Sequence, residues 1–114
     1  MSIVEHRDRS GESCIASFIR REIKDQKQKM QIERDISRLS SFTFQQLTRN
    51  GWLEKIRDSG VWEYRCGFGK HIFRIFLGIQ GQDYILLHIV HKKKNKLNPR
   101  DIRLAIKRYS QHII

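Results

Sequence analysis

The sequence predicts a single α+β domain, in which a small twisted antiparallel β-sheet of three to four strands packs against N-terminal helices and a C-terminal helix. Three observations predict this fold class. Apolar residues recur at helical intervals in the first half of the chain, alternate with polar residues over positions 60–92, and return to helical spacing after Pro99. With 114 residues, one proline and no repeat or linker, the chain is expected to form one domain over residues 1–114.

The first half is expected to be mostly helical after a short strand in the opening SIVEH segment. Ser13 is a suitable N-cap for a first helix. Thr43 and Gln46 have the spacing of a capping box for a short third helix, which should end at Asn50-Gly51. The apolar faces of the first two helices consist of Ile15, Phe18, Ile19 and Ile23, and of Ile32, Ile36 and Leu39.

Three strands should follow, joined by turns at Gly67–Gly69 and at Gly81. We take Gly67 to pair with Lys70 across the first turn and Ile79 with Tyr84 across the second. Because side chains alternate between the two sides of a strand, this register makes one face almost wholly apolar. That face is expected to lie under the helices, and it consists of Trp62, Tyr64, Cys66, Phe73, Ile75, Leu77, Leu86, His88 and Val90.

The opposite face is expected to be an open polar surface, with His91 on it at the end of its strand. His88 is expected to lie on the apolar face, within the core. In this register Glu63 lies opposite Arg74, and Arg65 lies opposite Ile72. Such a face contains too many charges for a second core. Its residues are Val61, Glu63, Arg65, Ile72, Arg74, Phe76, Leu87, Ile89, His91 and Lys93.

The last element is predicted to be a helix that starts at Asn98 as N-cap, with Pro99 in its first position. Arg103 and Lys107 lie off its apolar stripe, which should pack on the sheet. The stripe consists of Ile102, Ala105, Ile106, Tyr109 and Ile113.

Charge is the main global indication of a partner. The chain has 23 Lys and Arg against 12 Asp and Glu, a net charge of +11, and five cationic side chains fall within His91–Arg100. A domain this basic is expected to bind nucleic acid or another polyanion. Cys14 and Cys66 fit neither a disulfide framework nor a zinc motif, so no metal or cofactor is expected. No apolar run approaches the length of a membrane span, which favours a cytoplasmic protein without membrane contact.

Five segments stand out in this order: DRSGES before a helix, GVWEYR, HIFRIFLG, YILLHIVHKKKNK and PRDIRLAIKRY. The same order is seen in HigB-like toxins of the RelE/ParE superfamily, the toxins of bacterial and phage type II toxin–antitoxin pairs. The chain resembles this family, in its phage-derived branch, from about His6 to Gln111. The matching positions are Trp62, Glu63 and Arg65 in the WELR strand, Arg74 in the YRIFY strand, the paired Lys92 and Lys93, and Pro99 and Arg108 in the last helix. The departures are Cys14, Tyr64, Leu77 and Ile89.

The resemblance implies a RelE/ParE-like fold and cleavage of messenger RNA on the translating ribosome, which inhibits translation. It also implies a cognate antitoxin, expected to be a helix-turn-helix protein encoded nearby, and a toxin–antitoxin hetero-oligomer. RNA supplies its own nucleophile in the 2′-hydroxyl, so such an endoribonuclease needs no metal. Two alternatives stay open: a ParE-type toxin that inhibits DNA gyrase, and a non-catalytic basic phage protein that binds RNA or the ribosome.

Residue chemistry suggests roles within the nuclease hypothesis. Arg65 and Arg74 are candidates to stabilise charge on the phosphate, because a guanidinium holds two oxygens and stays protonated. His91 is the candidate acid or base, and a desolvated Lys93 would be a second. The residues expected to bind RNA or the ribosome are Lys92, Lys94, Lys96 and Arg100.

Overall fold

The computed structural model describes residues 2–93 and 95–113, and within them it confirms the α+β class with four helices and five strands. Lys94, one of the predicted binding residues, lies outside the described residues. The elements are β1 (Ser2–Glu5), α1 (Cys14–Glu22), α2 (Gln26–Ser41), α3 (Phe44–Arg49), β2 (Leu53–Lys55), β3 (Trp62–Phe68), β4 (His71–Gln80), β5 (Asp83–His91) and α4 (Pro99–Ser110).

The sheet has the strand order β1-β5-β4-β3-β2. Strands β2 to β5 are antiparallel, as predicted, but β1 pairs with β5 in parallel, so the sheet is mixed. The short β2 was not predicted. It is only three residues long and pairs with the start of β3, and a run of that length shows no clear alternation.

Each predicted helix start is confirmed by its capping hydrogen bond. The Ser13 side chain accepts from the backbone N–H of Ala16, and the Asn98 side chain accepts from that of Arg100. Thr43 and Gln46 form the reciprocal capping box of α3. In the described part of the chain, no helix combines the length and apolar character required to cross a bilayer.

The predicted register was wrong at the first turn and right at the second. Gly67 pairs with Ile72 and not with Lys70, because Phe68 and His71 close a two-residue turn in which Gly69 has a φ of +58°. Arg65 therefore lies opposite Arg74, and Glu63 lies opposite Phe76. The pairing of Ile79 with Tyr84 is confirmed.

A β-bulge in β5 overturns part of the predicted division between the two faces. Phe76 pairs with His88 while the next residue, Leu77, pairs with Leu86, so one extra residue of β5 is inserted between them. Beyond the bulge the alternation is reversed. His88 and Val90 lie on the same side as Arg74, whereas Ile89 and His91 lie on the side packed by α1 and α2.

Both faces of the sheet carry a core, which corrects the expectation of an open polar face. One cluster packs the sheet against α1 and α2, and the other packs it against α4. Glu63 and Arg74 are both 5% exposed within the second face. We call this side the α4 face, and its buried apolar residues are Ile56, Val61, Phe76, Ile85, Leu87 and Ala105.

Candidate functional site

Several of the predicted site residues lie around the connection between β5 and α4, which we call the basic loop (residues 92–98). The backbone N–H of Lys92 donates to the carbonyl of Ile72 at 2.7 Å at one end. At the other end Asn98 caps α4. The loop is therefore held at a strand end and at a helix start.

Arg74, on β4, holds the middle of the basic loop by hydrogen bonds to its backbone. Its Nη1 donates to the carbonyl of Lys96 at 3.1 Å and its Nη2 to the carbonyl of Asn95 at 2.9 Å. Its Nε donates to Oε1 of Glu63 at 3.1 Å. One buried guanidinium thus joins the sheet to the loop backbone. It forms an ion pair with Glu63 although the two residues are not opposite each other in the pairing of β3 with β4.

A second guanidinium shares the same carboxylate. Nε of Arg65 lies 3.3 Å from Oε1 of Glu63, and its Nη2 lies 3.4 Å from Oε2 of Glu54. The Arg65 side chain is 39% exposed, against 6% for Arg74. Arg65 is therefore the more accessible of the two predicted phosphate ligands.

A cleft of about 270 Å³ opens beside the loop and brings together four of the predicted residues: Arg74, His91, Lys93 and Lys96. Val90, Asn98 and Asp101 complete its lining. Arg65, Lys92 and Arg100 are outside this lining. Arg100 is exposed in the first turn of α4, and Lys92 is half-buried. Three cations, an imidazole and a carboxylate thus border one opening.

His91 stands at the strand end with an exposed ring. It stacks on Phe73 at a centroid distance of 5.0 Å and on His71 at 6.3 Å. It also lines a cavity on the α1 side, so it lies where the two faces of the sheet meet. Lys93 is exposed, so the desolvation that would favour it as a base is absent.

His88 forms an acid–base pair that the sequence did not reveal. Its Nε2 lies 2.9 Å from Oδ1 of Asp101, and its ring stacks on Phe76 at 5.8 Å. Burial lowers the pKa of His88 below its usual range, and hydrogen bonding to Asp101 opposes this only in part. The expectation of a histidine under the N-terminal helices was wrong because the bulge turns the ring towards α4.

A separate cavity of about 250 Å³ lies between α1, β5 and α4. At its edge Nδ1 of His6 lies 3.0 Å from Nε2 of His112, and Nη1 of Arg108 donates to the carbonyl of Leu87 at 2.7 Å. Burial raises the pKa of the Cys14 thiol to about 11, so this cysteine is a neutral thiol and not a nucleophile. Among the described residues, no group of three or more His, Cys, Asp and Glu is arranged to hold a metal ion.

The model of the phage derived protein Gp49-like family (DUF891) matches residues 21–110, well over half of the chain. The match includes all of α2 to α4, the sheet from β2 to β5 and the basic loop. Comparison with curated proteins gave no significant match.

Proposed function

Since the chain belongs to the Gp49-like family of phage-derived proteins, a toxin-like family related to RelE and HigB, we propose that it is a type II toxin that cleaves messenger RNA on the ribosome. The observation that carries the proposal is the cleft beside the basic loop. Its cations suit a phosphodiester, and His91 supplies an imidazole that can donate or accept a proton. A purely cationic binding surface would not require that imidazole.

The proposed reaction uses the substrate's own hydroxyl. The 2′-hydroxyl gives up its proton as its oxygen forms a bond to phosphorus. The bond from phosphorus to the 5′-oxygen breaks, and the leaving oxygen takes up a proton. His91 acts on one of these two protons, while Lys93 and Arg65 neutralise charge on the non-bridging oxygens. The ribosome is proposed to hold the message in line for this attack, since a cationic surface alone does not orient the 2′-hydroxyl and the leaving oxygen.

Arg74 is proposed as a positioning residue in this scheme. Its three nitrogens already donate to Glu63 and to two loop carbonyls, so it acts through the placement of Lys93 and Lys96. The remaining cations, Lys92, Lys94, Lys96 and Arg100, are proposed to contact the phosphates of the message or of ribosomal RNA.

Mapping the ends of messages in cells that express the protein tests the function directly. Cuts at codon-defined positions within translated messages are expected. Intact messages with DNA damage would favour the gyrase-inhibiting alternative, and intact messages with ribosome binding alone would favour a non-catalytic binding protein.

A matched pair of histidine variants tests the site. His91→Ala is expected to slow single-turnover cleavage of a ribosome-bound message by about 100-fold, the usual effect of losing a general acid or base. His71→Ala is the control, because His71 is also exposed and stacks on His91 but does not line the cleft. Equal rates for His91→Ala and the unchanged protein would exclude the cleft as the active site.

The partner is proposed to be an acidic, partly disordered antitoxin segment that folds on binding and forms a hetero-oligomer with the toxin. A net charge of +11 supports this partner, as does the outer side of α4, where Ile106 is 39% exposed. Growth of a host that expresses the chain alone, without a co-expressed neighbour, would argue against such a partner.

A further inference from the structure

Four aromatic residues lie near the junction of α2 and α3, away from the cleft. We call them the aromatic patch: Phe42, Phe44, Trp52 and Trp62. The Phe42 ring lies 5.4 Å from the Trp52 ring, and the Phe44 ring lies 5.2 Å from the Trp62 ring, both edge to face. Phe42 is 39% exposed and Phe44 37% exposed, while both tryptophans are half-buried. Two aromatic pairs, whose phenylalanines are two residues apart in the chain, are thus partly exposed at the surface instead of being covered by a core.

The patch is flanked by cations. The guanidinium of Arg38 lies 3.8 Å over the Trp52 ring. Lys55 lies directly opposite Trp62 in the pairing of β2 with β3. Between Ile36 and Leu53 the sequence has no Asp or Glu, and the neighbouring Glu54 turns to the α4 face, where it pairs with Arg65.

The patch is also continuous with the candidate site through the backbone of Arg65. Nη2 of Arg38 donates to the Arg65 carbonyl at 3.0 Å, and the Arg65 N–H donates to the Trp52 carbonyl at 2.8 Å. The patch therefore lies on one side of the strand whose other side carries the accessible guanidinium of the site. A nucleic acid strand bound at the Arg65 guanidinium could therefore continue over the edge strand β2 and reach the rings of the aromatic patch.

We propose that the aromatic patch stacks the unpaired bases of single-stranded RNA. Every base has a π face that can lie on an aromatic ring, and Arg38 and Lys55 supply charge for the adjoining phosphates. The Asp35 carboxylate lies 3.7 Å from Nη1 of Arg38, but Asp35 is buried and does not face the rings' exposed side. A partly exposed aromatic surface with a cation beside each ring pair suits a polyanion that also carries flat bases. The proposal rests on the proposed function for the source of the RNA, but base stacking is testable on free oligonucleotides.

Intrinsic fluorescence gives a direct test, because the two tryptophans of the chain both lie in the patch. A single-stranded oligoadenylate is expected to quench this fluorescence. Inorganic polyphosphate of equal charge, at the same ionic strength, is expected to bind without comparable quenching, since it has no bases. Similar quenching by both ligands, or none by the oligonucleotide, would overturn the proposal.

Substitutions separate stacking from mere apolar packing. Phe42→Leu and Phe44→Leu are each expected to raise the Kd for a labelled oligoadenylate by about tenfold, in the range found for single stacking residues. Phe42→Tyr should keep the affinity because it keeps the ring. Met30→Leu is the control: it is an exposed apolar position, 49% exposed, on α2 and about 18 Å along the helix from Phe42.

The same variants distinguish failure of this inference from failure of the nuclease proposal. Phe44→Leu should lower kcat/KM on ribosome-bound messages and leave single-turnover cleavage at saturation unchanged, whereas His91→Ala should still bind oligoadenylate normally. Normal oligonucleotide binding by both leucine variants would overturn the proposal that the aromatic patch stacks bases. It would not bear on the proposed nuclease activity at the cleft. Loss of antitoxin binding alone in these variants would assign the patch to a protein partner and overturn its role in RNA binding.

Discussion

Arg65 and Arg74 face each other on neighbouring strands and share the Glu63 carboxylate, but their surroundings differ. The Arg74 side chain is 6% exposed and donates to three separate oxygens, whereas that of Arg65 is 39% exposed and reaches only carboxylates. Removing a partner from a buried ion pair leaves an uncompensated charge, while exposed pairs contribute little to stability. The two positions therefore separate structural from surface charge in one small region.

Arg74→Ala is expected to lower the free energy of unfolding by roughly 3 kcal/mol, the scale for breaking a buried pair. Arg65→Ala should lower it by less than about 1 kcal/mol. Urea unfolding of both variants measures the difference. Equal losses at the two positions would mean that the loop is held without Arg74.

His88 gives the fold a dependence on pH. Because burial lowers its pKa, the unfolded chain, with an ordinary value of 6.5, takes up the proton first as the pH falls. The stability associated with a neutral, buried His88 is therefore fully present above pH 6.5. It is lost as the pH falls towards the lowered pKa of His88 in the folded protein. His6, whose pKa burial also lowers, acts in the same direction.

His88→Gln should flatten this dependence, because glutamine can still donate to Asp101 but does not titrate. The measurement is the drop in Tm between about pH 7.5 and about pH 5.5, a range in which histidine is the main titrating side chain. The drop should be smaller in the variant. Identical drops in both proteins would show that the His88–Asp101 pair does not respond to pH.

At the scale of the elements, local chemistry could be predicted and long-range geometry could not. Ser13, Thr43 and Asn98 cap helices because a side-chain oxygen satisfies an N–H a few residues away, and that information is wholly local. The bulge at His88 depends on how two strands fit together, so alternation along one strand cannot reveal it.

The candidate site shows the same division. The basic loop and its lysines follow from composition, and in the structure Arg74, His91, Lys93 and Lys96 line one cleft. The separate roles proposed for Arg65 and Arg74 depend on burial, which the placement of α4 over the sheet determines.

The packing of α4 depends on a position without a side chain. A Cβ added to Gly78 would lie 2.5 Å from the Tyr109 ring, whose hydroxyl donates to the Ile79 carbonyl at 2.9 Å. Gly78→Ala is therefore expected to destabilise the docking of α4 by roughly 1–3 kcal/mol, as overpacking does.

Hydrogen exchange of the α4 amides measures this effect. Exchange should be faster in Gly78→Ala, and the added Tyr109→Leu should recover part of the protection by removing the clash. Slow exchange in the single variant would show that the tyrosine ring moves aside at little cost.

At the scale of the whole molecule, the net charge of +11 predicts steep salt dependence of RNA or ribosome binding. Contacts to single strands give a slope of about −0.7 per neutralised phosphate in log K against log salt, so Lys92, Lys93, Lys94 and Lys96 together predict roughly −3. Lys93→Ala with Lys96→Ala should make the slope shallower by about 1.4. A flat dependence in the unchanged protein would mean that the basic loop is only a solvated surface.

The parallel pairing of β1 with β5 has a consequence for biosynthesis. Ser2 and Ile3 lie beside Asp83 and Tyr84, so β1 cannot form this pairing until β5 has been synthesised. Contacts between such distant parts of a sequence are slow to form, and domains with many of them fold late. The basic loop and α4 follow β5 in the chain, so the cleft cannot form before α4 has been synthesised. Any binding at the cleft therefore has to wait until α4 has emerged from the ribosome.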